Sequence, residues 1–173
     1  KGIGAVYIRR GTGFEKMLSG GAQENNHRAG TENVAGIVGL AKAAKLCYQR
    51  LETDSQEIGA LRNYLEIQLQ QRYDTKINGH PHNRLYNILN VSFPGCDSET
   101  LLMSLDMKGI AVSTGSACDS GSIEPSHVLK ALGMPDSLLK SGIRFSLGKY
   151  NTREEIDRVL NELQTIIPQL QKL

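Results

Sequence analysis

The sequence predicts an α/β to α+β fold, and three observations lead to that prediction. A β-branched segment opens the chain, long helical patterns follow it, and short strands then alternate with helices. This order is typical of a layer of sheet under helices. With 173 residues, 39% of them apolar and 22% charged, the chain can build a packed core. Its length fits one domain, or a small domain and part of a second.

The first half of the chain is predicted to hold one strand and two helices. Residues 1–10 read as a strand that ends at the turn signal Gly11-Thr12-Gly13. Residues 11–30 are rich in glycine and irregular. Helical spacing then predicts a first helix from Thr31 to Leu51 and a second that ends before Asp74.

In the second half, strands and helices are predicted to alternate, each with its own start or stop signal. Tyr86–Phe93 alternates apolar and polar residues, which is typical of a half-buried strand. Thr152 and Glu155 form a capping box that opens the last helix, and Pro168 is expected to kink or end it. The other predicted elements are a helix capped by Asp97 or Ser98 and stopped at Gly109, a strand at 110–112, a helix from Pro125 to Gly133, and a strand at 143–147.

Charge and cysteine content argue against several classes of function. The formal charge of +2 argues against nucleic acid or an anionic membrane as the main partner. No apolar run approaches the ~18 residues of a membrane-spanning helix. Three cysteines without a CxxC or Cys/His spacing argue against a disulfide framework or a zinc site. We therefore expect no metal site and a reducing, cytoplasmic compartment.

Cys118 is the first candidate for chemistry because it lies among Ser, Thr and Gly residues at 113–122, a setting typical of an exposed loop. Two interpretations stay open, a reactive thiol and an incidental surface cysteine. Asp119 is adjacent, and no Lys or Arg lies within nine residues, so nothing local lowers the thiol pKa. Activation must then come from groups that the fold brings in. By contrast, Cys47 and Cys96 are expected to be structural.

Arg144 is the second candidate. In residues 143–147 the apolar side chains occupy one face of the strand, so Arg144 shares the other face with Ser146. A guanidinium held on a strand beside a hydroxyl can bind a carboxylate through two hydrogen bonds. A solvent-facing residue or a structural ion pair is the alternative.

Thr31 is the third candidate, as the expected N-cap of the first helix. Gly30 permits a close backbone approach, the helix start offers N–H donors, and Arg28 adds positive charge, so that this segment could bind a phosphate. An ordinary capped helix is the alternative. His127, nine residues after Cys118, suggests a Cys-His protease, but a capping or surface position is the preferred interpretation.

Several motifs together resemble the NifS/IscS-type cysteine desulfurases. The loop Ser113-Thr114-Gly115-Ser116-Ala117-Cys118-Asp119-Ser120 is similar to the active-cysteine loop of that family. The remaining matching blocks occur in the family's order across nearly the whole chain. They are residues 1–5, 28–34, 87–93, 124–129 and 142–148.

The resemblance implies the C-terminal part of a fold-type I, class V transferase that uses pyridoxal 5′-phosphate (PLP), with a mainly antiparallel sheet covered by helices in its small domain. It implies that Cys118 takes sulfur from L-cysteine as a persulfide, leaving L-alanine, and is a candidate for a transient iron–sulfur ligand. Arg144 would bind the substrate carboxylate. Thr31 would reach the PLP phosphate of the neighbouring subunit in a homodimer.

The resemblance also implies partners and a domain division. Sulfur would pass to an acceptor or iron–sulfur scaffold protein, for cluster assembly or for thiolation of tRNA or cofactors. Residues 1–50 would be the end of the large PLP-binding domain with a connecting helix. Residues 51–173 would be the small domain that carries the active-cysteine loop at 113–124.

Two features depart from the family pattern. Asp119 stands where Thr or Ser is usual. The lysine that forms the Schiff base with PLP precedes the matching region in the family, and Lys1 does not correspond to it. The chain is therefore expected to be a fragment that is inactive by itself.

Two other functions remain as alternatives. A non-catalytic sulfur-carrier or interaction module could be built on the small domain alone. A related class V lyase or aminotransferase is disfavoured by Cys118, because transamination needs no thiol nucleophile.

Overall fold

The protein is described from a computed structural model, which covers residues 2–114 and 126–171. Within these ranges the chain forms helices and a small sheet. The elements in chain order are α1 (Gln23–Asn26), α2 (Val34–Arg72), β1 (Lys76–Ile77), β2 (Ile88–Ser92), α3 (Ser98–Asp106), α4 (His127–Ala131), α5 (Asp136–Leu139), β3 (Gly142–Ser146) and α6 (Arg153–Leu170).

The sheet has the order β1-β2-β3, and both pairs are antiparallel. In the register of β2 and β3, Leu89 lies opposite Phe145 and Val91 lies opposite Ile143. These apolar side chains share one face, because side chains two residues apart on a strand point the same way. The predicted antiparallel sheet with helices is confirmed.

One face of the sheet packs into the hydrophobic core. The helices pack against this face with regularly spaced leucines and isoleucines. Each such side chain stabilises the fold by about 1.5–3 kcal/mol when it is fully buried. The fully or almost fully buried members include Leu65 and Leu69 of α2, Leu101 and Leu105 of α3, and Leu160 and Leu163 of α6. The core thus fixes β3 and, with it, the opposite face of the sheet.

Two predicted helix starts are confirmed by their capping bonds. The Asp97 carboxylate accepts a hydrogen bond from the Thr100 backbone N–H at 2.9 Å and caps α3. Thr152 and Glu155 form the complete capping box of α6. Helix α6 continues through Pro168 and ends two residues later, because a proline near a C-terminus removes only one helical hydrogen bond.

The first half of the chain differs from its prediction in two respects. Residues 2–10 form no strand, and no strand described in that part of the chain lies beside them to supply hydrogen bonds. The two predicted helices are one, since α2 is continuous. No proline interrupts its polar middle, where the Ser55 hydroxyl donates to the Glu52 carbonyl within the helix.

Two smaller predictions also need correction. Helix α2 begins at Val34 and not at Thr31. Residues 110–112 form no strand; the extended pairing there is a single bridge between Ser113 and Arg144.

The chain divides into two compact units, Lys1–Leu51 and Glu52–Leu173, with the division inside α2. The hydrophobic core described above belongs to the second unit. That residues 1–50 belong to a cofactor-binding domain remains a prediction.

Candidate functional site

Arg144 lies in the middle of β3, on the face of the sheet that turns away from the core. Its neighbours Ile143 and Phe145 are buried, whereas Arg144 is half-buried and Ser146 is exposed. The predicted sharing of one face by Arg144 and Ser146 is therefore confirmed. The strand holds the Arg144 backbone on one side through β2, where Asn90 is its directly opposite partner.

On its other side, Arg144 pairs with Ser113 in an isolated bridge. The Arg144 N–H donates to the Ser113 carbonyl at 2.7 Å, and the Ser113 N–H donates to the Arg144 carbonyl at 3.2 Å. The segment that leads toward Cys118 therefore starts directly beside Arg144. Cys118 itself, with the rest of 115–125, lies outside the described residues.

The segment after residue 125 returns to the same strand. Ser126 is buried, and the helix α4 that follows places Leu129 over the first residue of β3. A Cβ at Gly142 would lie 3.1 Å from Leu129 Cδ1, so the small residue permits this close contact. Ser113 thus pairs directly with β3, and the helix that follows Ser126 contacts β3 through Leu129.

His127 is the first residue of α4 and is exposed, which agrees with the preferred surface interpretation.

The two cysteines that the structure describes are both free thiols but differ in exposure. Cys96 is 4% exposed, and burial raises the pKa of its thiol. This agrees with the structural role expected for it. Cys47 is exposed on α2, so the expectation of a packed side chain there is wrong.

Thr31 lies in the first unit, three residues before α2, and is exposed. Its expected role as N-cap is taken by Asn33, whose side-chain oxygen accepts from the Gly36 N–H at 3.0 Å. The Arg28 guanidinium donates to the Thr31 carbonyl at 3.4 Å. Gly30 has a φ of 101°, which allows the chain to turn into this position. Arg28 and Thr31 are thus adjacent, as a phosphate-binding segment would need.

A cleft of about 960 Å³ lies within the first unit, between residues 2–14 and the start of α2. Arg28 and Asn33 are part of its lining. Thr31 belongs to the first unit and Arg144 to the second.

Sequence reasoning missed a polar network on the face of Arg144. The Asn78 amide nitrogen donates to Asn90 Oδ1 at 2.7 Å and to Ser92 Oγ at 2.9 Å. The alternation in β2 had already marked Asn90 and Ser92 as the polar face. What the sequence lacked was the register that sets Asn90 opposite Arg144 and the turn that brings in Asn78.

Residues 2–114 and 126–171 contain no group of three or more His, Cys, Asp or Glu side chains that could hold a metal ion. In the same ranges, no helix combines the length and the apolar character needed to cross a membrane.

Comparison with known proteins gives relatives that are named cysteine desulfurases. Cysteine desulfurase IscS of Dictyoglomus turgidum is 45% identical over 174 aligned residues, and cysteine desulfurase NifS of Azotobacter vinelandii is also 45% identical. Both matches cover 100% of this chain but only 44% and 43% of the relatives. The chain therefore spans less than half the length of these relatives.

Among solved structures, NifS-like proteins share the fold of this chain. A NifS-like protein matches with a TM-score of 0.83 and 36% identity, over 94% of this chain and 41% of that protein. A NifS-like protein from Rickettsia africae matches with a TM-score of 0.76 and 30% identity, over 90% of this chain and 40% of that protein.

These matches confirm the resemblance that the motifs predicted. The family model described as "Aminotransferase class-V" matches residues 1–159, which is most of the chain. The chain belongs to the aminotransferase class-V family.

Proposed function

We propose that the chain is part of a PLP-dependent cysteine desulfurase, which removes sulfur from L-cysteine and leaves L-alanine and a persulfide on Cys118. The observation that carries the proposal is the bridge between Ser113 and Arg144. It joins the start of the Cys118 loop to the arginine that is suited to the substrate carboxylate. The names of the relatives, which are cysteine desulfurases, support the same activity.

Arg144 is proposed to bind the carboxylate of L-cysteine. Its backbone N–H and carbonyl both bond to Ser113, and its strand pairs with β2 on the other side, so the base of the side chain has little freedom to move. A planar guanidinium can then donate two parallel hydrogen bonds to the two carboxylate oxygens. This orients the substrate, so that its thiol presents a fixed direction to the attacking group.

Cys118 is proposed as the nucleophile that accepts the sulfur. It follows Ser113 by five residues, and because an extended chain spans at most about 3.6 Å per residue, its Cα can lie no farther than about 18 Å from that of Ser113. The net reaction joins the Cys118 sulfur to the substrate sulfur and breaks the substrate Cβ–S bond. L-Cysteine and the enzyme thiol thus become L-alanine and the enzyme persulfide.

The residues of the first unit fit the phosphate of PLP by their chemistry. The Arg28 guanidinium lies beside the Thr31 backbone, where it donates to the Thr31 carbonyl, and a guanidinium and a threonine hydroxyl can each bind an anionic oxygen. We propose that Thr31 makes this contact with the cofactor of the neighbouring subunit in a homodimer. When bound, PLP supplies an electron sink that weakens the bond to the substrate sulfur.

The sulfur is proposed to leave on Cys118 toward a cytoplasmic acceptor, either an iron–sulfur scaffold protein or an enzyme that thiolates tRNA or a cofactor. A cysteine on the predicted loop at 113–124 would be able to meet first the substrate and then the acceptor. In the same position Cys118 could ligate iron transiently during cluster transfer.

The test supplies L-cysteine and PLP to the full-length protein, with alanine and the mass of the Cys118 peptide as readouts. We expect one alanine per persulfide formed, a mass increase of one sulfur atom on Cys118, and loss of both in Cys118→Ala. Cys47→Ala is the matched control, because Cys47 is an exposed thiol outside the proposed site. The 173-residue chain by itself is expected to form no alanine.

A sulfur-carrier module is the second candidate, since Ser113 and Ser126, which flank the segment with Cys118, both lie within the second unit. A carrier would gain the persulfide from a separate desulfurase without PLP and would release no alanine. That result would contradict the proposed enzyme.

A further inference from the structure

A connected polar network occupies the face of the sheet that bears Arg144. Asn78, just after β1, donates from one amide nitrogen to both Asn90 Oδ1 and Ser92 Oγ. Ser92 Oγ in turn donates to the Leu138 carbonyl at 3.3 Å. Asn78 and Ser92 are buried, with exposures of 6% and 0%, so water does not compete for these bonds.

This network fixes the orientation of the Asn90 side chain. Because the Ser92 hydroxyl gives its proton to Leu138, its oxygen accepts from Asn78. The second N–H of the same Asn78 nitrogen is then directed at Asn90 Oδ1, at 2.7 Å. The Asn78 backbone N–H also donates to the Asn90 carbonyl at 2.9 Å. Asn90 is therefore held through both its side chain and its main chain.

Asn90 is the cross-strand neighbour of Arg144 in the β2–β3 register. Directly opposite residues in an antiparallel pair have Cβ atoms about 4.5–5.5 Å apart and lie on the same face. A rigid side chain at this distance limits the rotamers open to the arginine beside it. It is also uncharged, so it adds no negative charge next to the guanidinium.

We propose that Asn90, held by Asn78 and Ser92, is a positioning residue that directs the Arg144 guanidinium toward the substrate carboxylate. This inference rests on the role proposed above for Arg144. The amide character of Asn90 matters on this view, because a carboxylate at the same place would attract the guanidinium and compete with the substrate for it.

The substitution Asn90→Asp separates a positioning role from a structural one. The new carboxylate would still present an oxygen to Asn78 Nδ2, so a residue that merely holds the sheet together would tolerate the change. A positioning residue would not, because the new charge acts on Arg144. Asn90→Ala removes the rigid neighbour without adding charge, and Asn83→Asp makes the same chemical change at an exposed residue as a control.

The experiment uses the full-length enzyme and measures kcat, the KM for L-cysteine and the inhibition constant of L-alanine, a carboxylate ligand without sulfur. For Asn90→Asp we expect the KM and the inhibition constant of L-alanine to rise about tenfold while kcat changes less than about threefold, because the substitution weakens binding of the carboxylate. For Asn90→Ala we expect the KM and the inhibition constant to rise about threefold, and for Asn83→Asp we expect neither to change.

The variant Arg144→Lys distinguishes failure of the role proposed for Arg144 from failure of the role proposed for Asn90. If it leaves the KM unchanged, the carboxylate role of Arg144 is wrong. If Arg144→Lys raises the KM but Asn90→Asp does not, the inference about Asn90 alone is overturned. Thermal unfolding is recorded for every variant; should Asn90→Asp not fold, the KM of Asn90→Ala decides, and an unchanged value rejects the inference.

Discussion

At the scale of single residues, burial separates the two thiols that the structure describes. Cys96 lies in the hydrophobic core, and burial raises its thiol pKa, so that both access and the thiolate fraction are low. Cys47 is exposed on α2. The thiolate is the species that reacts with alkylating reagents, and therefore the two residues are expected to differ strongly in rate.

We predict that iodoacetamide at pH 8 modifies Cys47 in the folded chain well before Cys96. Peptide mass spectrometry over a time course would measure the two rates, and alkylation in urea would provide the control in which both react. Equal rates in the folded chain would contradict the burial of Cys96.

Residue types in the site were readable from the sequence, but their neighbours were not. Alternation along 143–147 placed Arg144 on the polar face, because that periodicity is local. The pairing of Arg144 with Ser113 on one side and Asn90 on the other depends on chain segments 31 and 54 residues away. Such non-local register follows from the packing of the whole sheet, and no local pattern encodes it.

At the scale of elements, the capping bonds show where short polar signals decide structure. Asp97 caps α3, and hydrogen bonding from the Thr100 backbone N–H lowers the pKa of its carboxyl from the ordinary 3.8. A carboxylate whose pKa is lower in the folded state stabilises the fold above its unfolded pKa. The contribution is lost as the pH falls through the folded pKa.

We predict that Asp97→Ala lowers the free energy of unfolding by about 1 kcal/mol at pH 7, as is usual for a lost N-cap. The difference from the unsubstituted chain is expected to shrink as the pH falls below about 4. Urea denaturation at several pH values would measure it. Asp106→Ala, at the C-terminal end of the same helix, is the control and should not destabilise; a loss at Asp97 that persists unchanged at low pH would argue against the cap.

Elements whose sequence carries a cap or a turn were predicted well, whereas a segment that needs a neighbouring strand to bond with was not. The strands β2 and β3 and the helices α3 and α6 carry both periodicity and a cap or turn. Residues 2–10 have strand-like composition but form no strand in the described structure. Propensity alone does not make a strand, because its hydrogen bonds must come from a neighbour.

At the scale of the whole molecule, the two compact units differ in how much apolar surface they bury. The core cluster runs from Ile58 to Ile167 and lies in the second unit. Among residues 2–51, the buried hydrophobic residue is Ala29, while large side chains such as Tyr7 and Met17 are 88% and 97% exposed. Little hydrophobic free energy therefore stabilises the first unit in this chain.

This contrast predicts that the units of the 173-residue chain differ in local stability. In hydrogen exchange read by mass spectrometry, amides of β2, β3 and the second half of α2 should exchange only on global unfolding. Peptides from residues 2–33 should exchange orders of magnitude faster, since few of their backbone bonds are shielded from water. Added urea should then remove the protection of the second unit in one cooperative step, because its helices share a single core with the sheet. Strong protection within 2–33 would mean that the first unit has a core of its own and would contradict this division.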